Sequence, residues 1–281
     1  MLALEDLGIA RGGRTLLRGI DARFAPGTFT ALLGANGVGK SSLLAAMCGV
    51  LRPAAGRVLL DGRDVATLAA RERARHIALV EPTEPVLAAM TVEDAVAAAR
   101  FPYHRWWEWQ PTPADAGALD AALDATQLTA LRAREVGTLS AGERQRVWIA
   151  VALAQNARVI ALDEPTTHLD LRFAVETLTL LRQLADAGAI VIAVLHMLEE
   201  AAAFADRVVV LGEERILADG APAHACTPDV LRAAYGIAID VDERDGQLTF
   251  RRKTTRPAEN STGRDRPVRS DEELRVLGDG L

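Results

Sequence analysis

Runs that are apolar nearly throughout recur along the chain: TFTALL at 28–33, IALV within HIALV at 76–80, VIAL within RVIALDEP at 158–165, and AIVIAVL within AIVIAVLH at 189–196. A strand with one wet face alternates apolar and polar residues, whereas a continuous apolar run belongs to a strand covered on both faces. The pattern therefore predicts a mainly parallel sheet with helices on either side. RVVVLGEERILADG at 207–220 reads as a hairpin with Gly212 in its turn.

Helical spacing appears between these runs. After GANGVGKSS (34–42), Leu43, Leu44, Met47, Val50 and Leu51 recur at that spacing, so a glycine-rich turn joins strand to helix. Thr91 is placed to cap VEDAVAAAR, whose acids fall in the first turn. In GTLSAGERQRVWIAVALA (137–154), Ser140 and Gly142 stand just ahead of a long helical pattern. There, free backbone N–H groups and the positive end of the helix dipole favour an anion.

Residues 101–138 hold FPYHRWWEWQPTP and an alanine-rich helical stretch without strand patterning. This predicts a mostly helical subdomain at about 86–138 within one domain spanning 1–245. From Gly246 the chain turns polar, charged and nearly free of aromatic residues, and 246–281 reads as a disordered tail. Its arginines allow contact with lipid headgroups, although the mixed sign of the charge favours a plain solvated tail.

Composition narrows the function. The 281 residues carry a net charge of −6 and no basic stripe with interleaved aromatics, which argues against a nucleic-acid partner. Cys48 and Cys226 are far apart, outside any metal-ligand spacing, and read as reduced thiols of a cytosolic protein. MLALEDLGIA carries Glu5 and Asp6 and no basic segment, unlike a signal peptide. The apolar runs are too short to cross a bilayer, so work at a membrane would need a partner that crosses it.

Gly34-Ala-Asn-Gly-Val-Gly39-Lys40-Ser41 fits the phosphate-cradling loop G-x-x-x-x-G-K-[ST] and lies between a strand and a helix, as that motif requires. Its glycines let successive N–H groups wrap phosphates, Lys40 neutralises the β- and γ-phosphates, and the Ser41 hydroxyl is a Mg²⁺ ligand. A mere glycine turn does not account for the Lys-Ser pair. Asp163 and Glu164 close an apolar strand, where open parallel sheets bind ligands. Asp163 suits Mg²⁺ and Glu164 suits polarising the water that attacks the γ-phosphate. His196 ends another apolar strand; beside a phosphate loop and an acidic pair, a γ-phosphate contact outweighs a structural role. His76, His104, His168 and His224 have no such context.

The order and spacing of Gly34–Ser41, LSAGERQR (139–146), VIALDEP (159–165), THLD (167–170) and His196 resemble the ATPases of ABC transporters over residues 1–245. The resemblance implies an α/β P-loop NTPase of the ABC-ATPase type, its mainly parallel core sheet joined by an antiparallel β part and a helical subdomain. It implies ATP and Mg²⁺ at Gly34, Asn36, Gly37, Gly39, Lys40, Ser41 and Ser42, with Mg²⁺ on Ser41 and Asp163. It also implies Glu164 as catalytic base, His196 as switch histidine and Asp170 as an acid crossing a dimer interface. Ser140 and Gly142 would then hold the nucleotide of a second copy in a head-to-tail dimer. ARFPYHRW, VLHMLEEAAAFADRVVVL and AAYGIAIDV (233–241) are similar to the importers of iron chelates, haem and cobalamin. Such a chain would work from the cytoplasmic face of the cell membrane, with an integral-membrane permease and, indirectly, an extracytoplasmic substrate-binding protein. A non-transport ABC ATPase, or an importer of another substrate class, is the alternative.

The chain departs from that pattern in places. Pro82 stands where the family carries a Mg²⁺-contacting glutamine; either Glu81 or Glu84 replaces it, or the loop does without that ligand. Ala10 and Arg11 stand where an aromatic stacks on adenine; Arg11 either stacks in its place or stays in solvent. Ala141 replaces the first glycine of the usual pair, which is tolerable if its φ is negative. Trp106, Trp107 and Trp109 serve either as a docking surface for the permease or as packing within the helical subdomain.

Overall fold

The computed structural model describes residues 1–81, 88–104, 110–167 and 169–252. Strands β1 (Leu2–Arg11) and β2 (Arg14–Phe24) pair antiparallel; β3 (Thr28–Leu33) enters a second sheet and runs through the glycine turn into α1 (Lys40–Met47). β4 (Ala55–Leu60) and β5 (Arg63–Asp64) return to the first sheet, and α2 (Ala70–Ala74) leads into β6 (Ile77–Val80). Three helices follow, α3 (Val92–Ala98), α4 (Pro113–Ala125) and α5 (Ala141–Ala154). The chain then alternates through β7 (Val159–Asp163), α6 (Leu171–Asp186), β8 (Ile190–Val194), α7 (Leu198–Phe204) and β9 (Arg207–Gly212). β10 (Arg215–Gly220) folds back on β9, and α8 (Pro222–Ala225) and α9 (Pro228–Tyr235) precede a hairpin of β11 (Ile239–Arg244) and β12 (Gln247–Arg252).

The second sheet has the order β10-β9-β3-β8-β7-β6, parallel throughout except for β10 at the edge. Both of its faces are covered, which is why its strands are apolar throughout. On one face Leu32, Ala161, Ile192, Val194 and Leu211 pack with Leu43, Leu44 and Met47 of α1 and with the antiparallel sheet β2-β1-β4-β5. On the other, Phe29, Leu33, Ile160, Leu162 and Val191 meet Leu178 and Leu181 of α6 and Leu231 of α9. Each such side chain contributes about 1.5–3 kcal/mol by leaving water. The α/β class and the mixed β architecture follow the expectation.

Three expectations need correcting. Gly212 is not in the 207–220 turn; it pairs with Arg215, and the turn is Glu213-Glu214, at φ 50° and 62°. A two-residue hairpin loop that matches the strand twist needs positive φ at both central residues, and here glutamates adopt it. At Gly212 a Cβ would meet the Leu217 side chain, whose flexible end can shift, and Ala234 only at ordinary contact distance. The expected tail boundary near Gly246 falls inside the β11–β12 turn, and Phe250 of β12 packs against the main core. Third, the core of the helical layer draws on Val147, Ala150 and Ala154 of α5, beyond the expected limit at 138. Pro82, Glu84, Trp106, Trp107, Trp109, His168 and residues 253–281 lie outside the described residues.

The helical layer is fastened by a buried charged cluster. Arg100, just beyond α3, donates from Nε to Asp115 Oδ1 at 2.8 Å and from Nη1 to the Ala154 carbonyl at 2.8 Å. His104 Nε2 lies 3.0 Å from Asp115 Oδ2. Thr112 and Asp115 form a reciprocal cap on α4, as Thr91 caps α3 through the Asp94 N–H. Burial works to raise the Asp115 carboxyl pKa, but hydrogen bonds from Thr112 and Arg100 outweigh it and hold the group below the usual carboxylate range. Removing one partner of a buried pair strands the other's charge, typically a loss of about 3–5 kcal/mol. Asp115→Ala should lower the denaturant midpoint by a corresponding amount in urea unfolding; an unchanged midpoint would show that the cluster does not hold the layer.

Candidate functional site

The glycine loop leaves β3 at Gly34 and re-enters helix at Lys40. Gly34 has φ +144°, and a Cβ there would sit 2.5 Å from the Leu211 carbonyl oxygen, so only glycine fits. Gly39, at φ +110°, begins α1 without any side-chain cap. The other helices of eight or more residues, α4, α5, α6 and α9, are capped by Thr112, Ser140, Asp170 and Thr227, as α3 is by Thr91, while the short α2, α7 and α8 are uncapped like α1. The open N–H groups of α1 thus face a place where an anion fits. Lys40 is buried and donates from Nζ to the carbonyls of Gly34 at 2.7 Å and Ala35 at 3.0 Å. Burial lowers its pKa, opposed by the charges of Glu164 and Asp163.

The acidic pair arrives from β7. Asp163 Oδ1 is buried without a hydrogen-bond partner. Burial and the neighbouring Glu164 raise its pKa, while a hydrogen bond with the Ser41 side chain lowers it. A buried carboxylate oxygen with no partner, beside a serine hydroxyl, suits a small hard cation, so Ser41 and Asp163 fit Mg²⁺. Glu164 takes φ +52°, a left-handed conformation rare for a residue with a side chain. Its Oε1 lies 2.7 Å from His196 Nε2, and Thr167 Oγ1 donates to its Oε2 at 3.4 Å.

One cavity of about 500 Å³ joins the loop to Glu164 and His196, with Gly34 and Asp163 behind its wall. Its walls include Asn36, Gly37, Gly39, Lys40, Ser41, Ser42, Glu164 and His196, together with Arg11 and Leu16. Ser140, Gly142 and Asp170 do not line it. Ser140 caps α5, accepting from the Glu143 N–H at 3.2 Å, while Glu143 accepts from the Ser140 N–H at 2.8 Å. That use leaves the hydroxyl proton free to donate. Ala141 is the first helical residue, so its φ is negative as the substitution requires. Gly142 lies beneath Phe173, where a Cβ would approach the ring to 3.0 Å. Asp170 caps α6 through the Phe173 N–H at 3.0 Å. Glu81 is exposed and outside the cavity.

Two participants escape a reading of the sequence. Leu16 is an apolar residue in a strand, with nothing to distinguish it from core. Glu200 accepts from Thr166 Oγ1 at 2.8 Å and so ties the loop after Glu164 to α7. Burial raises its pKa. Its position four residues after His196, on the following helix, is the available signal.

Comparison with known proteins gives a consistent result. The family profile described as ABC transporter matches residues 17–167. The chain is 40% identical over 244 residues to the hemin import ATP-binding protein HmuV of Pseudomonas putida, covering 85% of this chain and 94% of that one. It is 37% identical to the ferric enterobactin transport ATP-binding protein FepC of Escherichia coli, covering 83% and 86% respectively. Its fold is similar to a solved metal-chelate type ABC transporter in an inward-facing conformation, with a TM-score of 0.78 at 26% identity over 90% of this chain and 98% of that one.

Arg11 is an exposed cation at the cavity wall, where the sequence leaves it either stacked on a base or in solvent. An exposed cation–π contact is worth about 0.5–1 kcal/mol. Arg11→Ala should therefore raise the nucleotide Kd roughly twofold to fivefold in a fluorescence titration, and an identical titration curve would place the arginine in solvent.

Proposed function

This chain belongs to the ABC transporter family, and from that premise we propose that it is the energy-coupling ATPase subunit of an importer for an iron chelate, haem or cobalamin. One observation carries the reading. A phosphate loop and a Glu–His pair line one cavity, with the unpartnered Asp163 oxygen buried behind it beside Ser41, while Ser140 and Gly142 present a second helix N-terminus elsewhere.

ATP is the substrate of that cavity. The uncapped N–H groups of the loop and of α1 receive its phosphates, and Lys40 exchanges the Gly34 and Ala35 carbonyls for phosphate oxygens. Ser41 and Asp163 would hold Mg²⁺, which when bound would supply neutralisation of phosphate charge. Glu164 accepts a proton from water as the water oxygen bonds to the γ-phosphorus; the bond from that phosphorus to the bridging oxygen breaks and ADP departs. His196 keeps the Glu164 carboxylate in place and lies within reach of the γ-phosphate. Ser140, Gly142 and Asp170 act on the nucleotide of a second copy, which makes the working unit a head-to-tail dimer.

No helix among the described residues is long and apolar enough to cross a membrane. The crossing therefore falls to an integral-membrane permease, on whose cytoplasmic face the dimer sits, and an extracytoplasmic binding protein delivers the ligand. The substrate class is supported by the relatives, which import hemin and transport ferric enterobactin. ATP-driven closure and hydrolytic reopening of the dimer are the steps that a permease can use.

General-base assistance contributes about 10²–10⁴-fold to such a reaction. Glu164→Gln should reduce steady-state phosphate release by that factor and keep ATP binding; hydrolysis at the parent rate would remove Glu164 from the role. With the permease in proteoliposomes, ATP should drive uptake of haem, a ferric chelate or cobalamin, and uptake of none of them would contradict the substrate class.

A further inference from the structure

The motif AAYGIAIDV lies well beyond residue 167, where the matched family profile ends, and none of its residues lines the cavity. One of its side chains nevertheless reaches the start of the phosphate loop. Tyr235 is the last residue of α9, whose Leu231 and Ala234 are buried against the parallel sheet. The Gly34 N–H donates to the Tyr235 hydroxyl oxygen at 3.1 Å. Burial pushes the phenol pKa up, so the group stays a neutral hydroxyl.

Gly34 is the joint between a rigid strand and a flexible loop. A side chain there would meet the Leu211 carbonyl oxygen of β9, and its own carbonyl accepts the Lys40 ammonium. Tyr235 thus grips one side of the residue whose other side holds the lysine. A glycine-rich loop has many competing conformations, and an anchor at its first residue removes some of them before any ligand arrives. The same C-terminal unit also braces the far side of the cavity, because β12 packs along α7, the helix that begins just after His196.

We propose that Tyr235 is a positioning residue for nucleotide binding, its hydroxyl fixing Gly34 and through it the phosphate loop and Lys40. The proposal rests on the ATP-binding reading of the cavity. It differs from a packing role in one respect: it needs the oxygen, while packing needs only the ring.

Tyr235→Phe separates the two, because it keeps the ring and leaves the Gly34 N–H without its acceptor. The absence of such a hydrogen bond is worth about a factor of ten. The variant should raise the ATP Kd and KM about tenfold, with the effect falling on these rather than on kcat. Hydrogen exchange of the same two proteins should show the Gly34 amide exchanging faster in the variant, with Phe29–Leu33 unchanged. Equal Kd values for parent and variant would overturn the proposal. So would a weaker Kd accompanied by equally faster exchange along the whole of β3, which is the mark of loosened packing. A parent protein that binds no ATP would instead overturn the nucleotide reading, and the positioning role with it.

Discussion

Parallel pairing of β3 with β8, and of β8 with β7, sets Leu32 opposite Val194 and Val194 opposite Asp163. The three strands therefore end level, and what each chain segment carries next is delivered to the same place: the glycine loop, the acidic pair and His196. A one-residue slip in any of these pairings would turn every side chain of that strand to the opposite face. Both faces are apolar and buried, with Leu32, Ile192 and Val194 in one core and Leu33, Val191 and Ala193 in the other, so a slip would exchange side chains of different size between two close-packed cores, and it is packing fit that opposes it. The assembly of the site is a consequence of register.

The resting site is assembled from charges that partly satisfy one another. Lys40 rests on backbone carbonyls, Glu164 on His196, and Asp163 keeps one oxygen unpaired. Glu164 also holds a left-handed backbone conformation, which typically costs about 1–3 kcal/mol and persists only where the surroundings fix it. The fixing elements are visible: Thr167 on the carboxylate, and the Thr166–Glu200 hydrogen bond binding the following loop to α7. In the proposed reading, Lys40 and Glu164 would exchange existing partners on ligand binding, while the open Asp163 oxygen would gain one.

Much of this is legible in the chain. The glycine loop and the Asp163-Glu164 pair are contiguous motifs, and His196 closes an apolar run, so their chemistry can be read from local order. The expected hairpin at 207–220 forms, but its turn is displaced from the expected one because Gly212 looks like the turn residue while glutamates occupy the positive-φ positions. The end of the fold lies later than expected because the polar composition after Gly246 masks the alternation Ile239, Val241, Leu248, Phe250, which marks a half-buried hairpin. Tyr235 is beyond reach for a different reason. Its contact with Gly34 spans 201 positions and depends on how α9 lies on the sheet, which no local pattern encodes. The separation of Ser140 and Gly142 from the cavity likewise follows from the path of the helical layer, not from the residues themselves.

In the proposed head-to-tail dimer, Ser140 and Gly142 of one copy would complete the site of the other. Light scattering on Glu164→Gln, with and without Mg-ATP, tests this most directly. The mass should rise from that of the 30.0 kDa chain to twice that value when ATP is added. A protein that binds ATP to saturation and stays at the mass of one chain would contradict a shared site.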